Sequence, residues 1–189
     1  MSEKIRDSIS DFHDYGIYLP TKTITIIGEV DEALFKNVIT NLHVLDSISG
    51  DITVKLCSTG GDLDAGKAIY DAVRGCKNRV RIIGYGLIAS CATLIMQAAD
   101  ERILSPNAKM MVHIGSEGYI EDHVYNVRNA IKSYQADRIW IEDVYLEQIK
   151  KKHPRYTRQK LEDLLVFDTY MTPKECLELG LIDSIGEIQ

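Results

Sequence analysis

The chain has 189 residues, 45% of them hydrophobic and 26% charged, a composition that fits one ordinary globular domain. A net charge of −6 argues against nucleic acid or an anionic membrane as the main partner. No apolar run approaches the roughly 18 residues of a membrane span, and residues 1–9 are polar, without the apolar segment of a secretion signal.

In chain order, residues 1–15 read as a polar arm, mobile or ordered by a partner. Residues 23–28 are a β-branched strand, and residues 32–46 carry Leu34, Phe35, Val38, Ile39, Leu42 and Leu45 at the helical period. A second strand, 52–57, is closed by Ser58-Thr59-Gly60-Gly61, and a helix follows over 62–74. Residues 80–83 have strand chemistry. Gly84 and Gly86 suit a tight turn, and the run from Leu87 to Ala99, polar only at Ser90, Thr93 and Gln97, predicts a buried helix. Short strands at 102–104 and 110–114 are split by Ser105-Pro106-Asn107. Residues 121–152 form a long helix whose aromatic residues Tyr134, Trp140 and Tyr145 pack either on a partner subunit or on the domain itself, and His153-Pro154 ends it. A short helix over 161–166 precedes a capping box at Thr172-Pro173-Lys174-Glu175, whose helix stops at Gly180. Strands alternating with helices make the class α/β with a mainly parallel sheet.

Cys57, Cys76, Cys91 and Cys176 form no CxxC pair and read as reduced thiols of a cytoplasmic protein. His13, His43, His113, His123 and His153 lack metal-ligand spacing, and Asp11, His13 and Asp14 sit together only in the polar arm, so no metal is expected.

Three features can converge on chemistry. Gly60-Gly61, between a strand and a helix, either merely turns the chain or lets a backbone N–H approach a ligand oxygen. Ser90, near a buried helix start, either caps its own turn or acts as a nucleophile beside the Cys91 N–H. His113, within Met110-Met111-Val112-His113-Ile114, is either a satisfied core histidine or a general base. A serine, a histidine and a later aspartate are the parts of a serine triad. Cys91 itself is a rival nucleophile.

The pieces Gly60-Gly61-x-x-x-Ala65-Gly66-x-Ala68-Ile69-Tyr70-Asp71, Ala89-Ser90, Leu104-Ser105-Pro106-Asn107-Ala108, Met111-Val112-His113 and Gly180-Leu181-Ile182-Asp183 stand in the order of a known family. The chain resembles the proteolytic subunit of the Clp protease from about Thr23 to Ile188. The resemblance implies a crotonase-like fold of stacked β-β-α units with a protruding handle helix at about 115–152, in a single domain over 16–189 behind the 1–15 arm. It implies Ser90 as nucleophile, His113 as base and Asp168 as the triad aspartate, with Asp163 the fallback should the register slip. The backbone N–H groups of Gly61 and Cys91 match its oxyanion hole. It further implies polypeptide substrates, two stacked heptameric rings, and no cofactor of the subunit's own, ATP acting only through a Clp-type ATPase.

The chain departs from that family in places. Ser58-Thr59 precedes the glycines, Cys91-Ala92-Thr93 follows the serine and could reshape the first specificity pocket, and residues 114–119 replace a glycine-rich substrate strand. Thr53 and Lys55 stand where the family carries tyrosines that dock ATPase loops, and the arm lacks an apolar start, so weakened or altered docking is expected. Rival readings are an acyl-CoA hydratase or hydrolase of the same fold, a non-catalytic ring subunit, and a dedicated processing peptidase.

Overall fold

A computed structural model describes residues 10–115 and 123–186. Residues 10–15 are helical (α1) and docked: the Asn41 amide donates to the Tyr15 carbonyl at 2.7 Å, and the Phe12 ring meets Tyr18 edge-on at 5.8 Å. The rest of the expected arm lies outside the described residues. There follow β1 (Ile17–Tyr18), a single 3-10 turn (Leu19–Thr21), β2 (Thr23–Val30), α2 (Glu32–Asp46), β3 (Ile52–Gly61), α3 (Leu63–Arg74), β4 (Val80–Ala89), α4 (Cys91–Gln97), β5 (Glu101–Leu104) and β6 (Lys109–Val112). The remainder is α5 (Val124–Lys152), α6 (Arg158–Leu165), β7 (Thr169–Met171), α7 (Pro173–Leu179) and β8 (Ser184–Ile185).

Strands β1-β2-β3-β4-β5-β8 lie side by side, and β6 leaves this path to pair with β4 and β7. Every pairing is parallel except β1 with β2 and β6 with β7. On β2 and β3 burial largely alternates, with Ile24, Ile26, Val54 and Leu56 in the core and Lys55 exposed between two of them, whereas β4 is buried on both faces at Ile82 and Ile83. Helices α2, α3, α6 and α7 begin where side chains satisfy free N–H groups. Asp31 accepts from Leu34, Asp62 accepts from Ala65, and Thr172 with Glu175 forms the expected capping box.

Two sequence expectations fail at β3 and β4. Ser58 to Gly61 continues β3 instead of closing it, and Leu87 to Ala89 is strand, not helix. An apolar run buried on every side has the same composition in either state, so periodicity cannot decide between them. Gly86, at φ 61°, bends β4 without ending it. Before the bend β4 pairs with β5 at Arg81 to Gly84; after it, with β6 at Leu87 to Ala89. The short strands β1, β7 and β8 hold too few residues to show a period.

Helix α5 divides in two. Ile141, Val144, Tyr145, Leu146 and Ile149 are buried in the core, whereas Val124, Tyr125, Ile131 and Ile139 are exposed. Of the expected aromatic residues, Tyr145 is buried in the core and Trp140 meets Tyr70 edge-on, so this part of the helix packs on the domain itself. Buried Glu142 accepts from Arg138 on α5 and Arg158 on α6, which ties those helices together. The buried Arg102 guanidinium donates to Asp183, Gln97 and the Gly180 carbonyl, fixing the segment before β8 against β5. Burial pushes the Asp183 carboxyl up, but the Arg102 hydrogen bonds outweigh it and hold that pKa below the ordinary range.

Candidate active site

Three strand ends meet at the carboxyl edge of the sheet, where β4 exchanges one neighbour for another. Parallel α/β sheets bind ligands at such a crossover. β3 delivers Gly60 and Gly61, β4 runs into Ser90, and β6 runs into His113. The Ser90 N–H donates to the Met111 carbonyl at 2.9 Å, so the serine is held against β6 two residues before the histidine.

The antiparallel partner of β6 supplies the carboxylate. Val112 pairs with Thr169, and continuing that register by one residue sets Asp168 opposite His113. The His113 ring bridges the two: its Nε2 lies 2.7 Å from Ser90 Oγ and its Nδ1 lies 2.9 Å from Asp168 Oδ1. Thr169 steadies the turn by donating to the Leu164 carbonyl at 2.7 Å. Asp163, the fallback, lies on α6 and accepts from Gln159 instead. The imidazole is mostly enclosed, its side chain 18% exposed, while the Asp168 side chain is 60% exposed.

Ser90 occupies the N-cap position of α4, yet its side chain makes no capping bond; the hydroxyl is turned to His113. Its backbone stands at φ 55°, ψ −132°, a conformation that costs a non-glycine residue about 1–3 kcal/mol. Gly60 is what gives this bend room. A Cβ there would lie 2.7 Å from both the Ala89 carbonyl oxygen and Ser90 Cβ, and its φ is 88°. Gly60→Ala is therefore expected to cost at least about 2 kcal/mol of stability and to displace the serine, lowering kcat by about 100-fold. Thermal unfolding and peptide hydrolysis measured together check this; wild-type values for both would show that the bend does not depend on Gly60.

Beside the serine is a cavity of about 210 Å³ lined by Gly61, Ser90, Cys91, Leu94, His113, Ile114 and Tyr134, among others. The expected change of substrate strand touches it through Ile114 and Gly115; residues 116–122 lie outside the described residues. Cys91 is buried, and that burial pushes its thiol up to about 11, against the opposing pull of the Gly61 amide and its own. At pH 7 roughly one such thiol in ten thousand is ionised, which disfavours Cys91 as nucleophile.

The residues the sequence reading did not assign to the site are Gly60, in its role behind Ser90, and the buried pair Thr93 and Tyr145. Thr93 is fully buried behind the serine and does not line the cavity, so it does not shape a specificity pocket. Among the described residues no group of three His, Cys, Asp or Glu side chains could hold a metal, and no helix is long and apolar enough to cross a membrane.

An imidazole held by a carboxylate on one nitrogen and a hydroxyl on the other is arranged to take the hydroxyl proton. The whole chain is similar to known proteins. The Clp protease family pattern matches residues 7–189. ATP-dependent Clp protease proteolytic subunit 2 of Pseudomonas aeruginosa is 30% identical over 170 residues, covering 88% of this chain and 82% of that protein. The subunit 2 protein of Treponema denticola is 29% identical over 174 residues, covering 90% and 84%. The solved structure of a ClpP1 point mutant from Listeria monocytogenes superposes with a TM-score of 0.80 at 25% identity, covering 90% of this chain and 94% of that one. The α/β fold is therefore the crotonase-like one that the resemblance implied. With the family pattern spanning nearly the whole chain and relatives matched over most of their length, this chain belongs to the Clp protease family.

Proposed function

We propose that this chain is a serine endopeptidase in which Ser90, His113 and Asp168 act as a triad and the Gly61 and Cys91 N–H groups hold the oxyanion. The observation that carries the reading is the His113 ring, with one nitrogen on the hydroxyl and the other on the carboxylate. A carboxylate can only accept, so Asp168 keeps the proton on Nδ1 and leaves the Nε2 lone pair for the serine. Ser90 Oγ attacks the peptide carbonyl as its proton passes to Nε2. The tetrahedral oxyanion is met by the two amides, and the imidazolium returns the proton to the leaving amine. Water then repeats the sequence on the acyl-enzyme. No cofactor of the chain's own enters these steps; ATP acts through a partner ATPase. An acyl-CoA hydratase would use the two amides but would not need a hydroxyl, an imidazole and a carboxylate in line.

A cytoplasmic peptidase of this kind must be confined. In this reading residues 16–189 form one peptidase domain behind the 1–15 arm, and segment 115–152 is the handle joining two stacked heptameric rings around a closed chamber. The exposed Val124, Ile131 and Ile139 on α5 support it, as apolar side chains outside the domain core that a facing handle helix would cover. A fluorophosphonate probe applied to the purified protein, with light scattering on the same sample, tests chemistry and assembly at once. Labelling at Ser90 is expected on a particle of fourteen 21.3 kDa chains, about 300 kDa. An unlabelled protein would point to a non-catalytic ring subunit, and a stable monomer at micromolar concentration would remove the chamber.

Lys55 is exposed and Thr53 half-exposed on β3, polar residues where an apolar ATPase loop would have to dock. Weak stimulation by a standard bacterial Clp unfoldase is expected in a protein-degradation assay; strong stimulation would contradict this part of the reading.

A further inference from the structure

We infer that the Thr93 hydroxyl and the Tyr145 phenol behind it are positioning residues that aim the Cys91 amide at the oxyanion, an inference that rests on the peptidase reading of Ser90. The Ser90 carbonyl and the Cys91 N–H are opposite ends of one planar trans peptide. Whatever fixes the oxygen therefore aims the N–H. That oxygen accepts from the Thr93 N–H at 2.9 Å, an ordinary first-turn bond, and from Thr93 Oγ1 at 2.6 Å.

A threonine hydroxyl often bonds back to the preceding turn with no functional consequence. Two features set this one apart. The carbonyl it holds belongs to the proposed nucleophile, whose strained backbone gives the peptide no local preference for this orientation. The hydroxyl also has a second partner, Tyr145 Oη at 2.5 Å, 52 positions along the chain on α5. Thr93 has one hydroxyl proton and gives it to Ser90, so the phenol must be the donor between these two. Burial pushes the Tyr145 phenol well up from its ordinary pKa, so it stays protonated and able to donate. The result is a directed relay in a dry region: Tyr145 O–H to Thr93 O–H to the Ser90 carbonyl. Each donation polarises the next bond, and the last one makes the Cys91 N–H a stronger donor. The relay also connects the buried half of α5 to the catalytic bend.

The test uses the full-length assembled protein and three shape-keeping variants: Thr93→Val, Thr93→Ser and Tyr145→Phe. For each, kcat and KM are measured on a fluorogenic peptide, together with the affinity of a peptide aldehyde, whose serine adduct presents an oxyanion. Thr93→Val is expected to lower kcat and aldehyde affinity in step, by about tenfold, at unchanged KM, and Thr93→Ser to restore both. Tyr145→Phe is expected to lower them by about threefold in the wild-type background and not at all in the Thr93→Val background. Wild-type kcat in Thr93→Val, or a Tyr145→Phe effect that persists without the Thr93 hydroxyl, overturns the relay. If Thr93→Val does not fold, Tyr145→Phe decides: a joint fall in kcat and aldehyde affinity sustains the relay, and wild-type values for both overturn it. Turnover that survives Ser90→Ala removes the peptidase reading and the relay with it. An inert Ser90→Ala beside a fully active Thr93→Val removes the relay alone.

Discussion

Ser90→Ala is expected to bring peptide hydrolysis down to the floor of the assay, a loss that for a triad serine reaches about a millionfold. The variant should retain its mass in solution, because Oγ makes its bond to His113 and contributes nothing to the helix cap. The same position separates chemistry from strain. At φ 55° and ψ −132° alanine is as strained as serine, whereas glycine adopts this conformation readily. Ser90→Gly should therefore be as inactive as Ser90→Ala and more stable than it by about 1 kcal/mol, read from denaturant unfolding. An active Ser90→Ala would end the peptidase reading. A Ser90→Gly variant no more stable than Ser90→Ala would show that the bend stores no strain. Iodoacetamide should leave activity intact in the wild type, since the Cys91 thiol, pushed up to about 11, is protonated at neutral pH.

How far the sequence could be read follows from what leaves a period in it. Helices α2 and α3 end within a residue of the expected bounds, because their apolar stripes and the caps Asp31 and Asp62 are local signals. The path through Ser90 was legible as apolar and glycine-punctuated, but its state was not. Ala89 is strand only because β6 lies beside it, and β6 is about 20 residues further along the chain. Asp168 is the extreme case. Its position opposite His113 follows from the register of β7, a three-residue strand with no pattern of its own, so composition and spacing were silent and only the family resemblance reached it. Thr93 and Tyr145 were visible as residues and invisible as a pair, since nothing in a helix stripe tells which buried hydroxyl faces which phenol.

Asp168→Asn is expected to lower kcat by about ten thousandfold while leaving KM near its wild-type value. The Asp168 side chain is 60% exposed, so its charge is screened by water and contributes little attraction to the imidazolium. The tautomer is another matter. A carboxylate at 2.9 Å from Nδ1 can only accept, which keeps the ring proton there and the Nε2 lone pair free. An asparagine can turn its NH₂ toward Nδ1, which moves the ring proton to Nε2 and blocks it against the serine. On this account Asp168→Ala, which leaves Nδ1 to water and the tautomer free to exchange, should be the less damaged of the two variants. Asp163→Asn should be fully active, because Asp163 is engaged with Gln159 on α6. If Asp168→Ala proves the worse of the pair, the carboxylate acts through its charge in spite of its exposure; if Asp168→Asn turns over at the wild-type rate, the 2.9 Å contact takes no part in the reaction and His113 must be oriented by its packing alone.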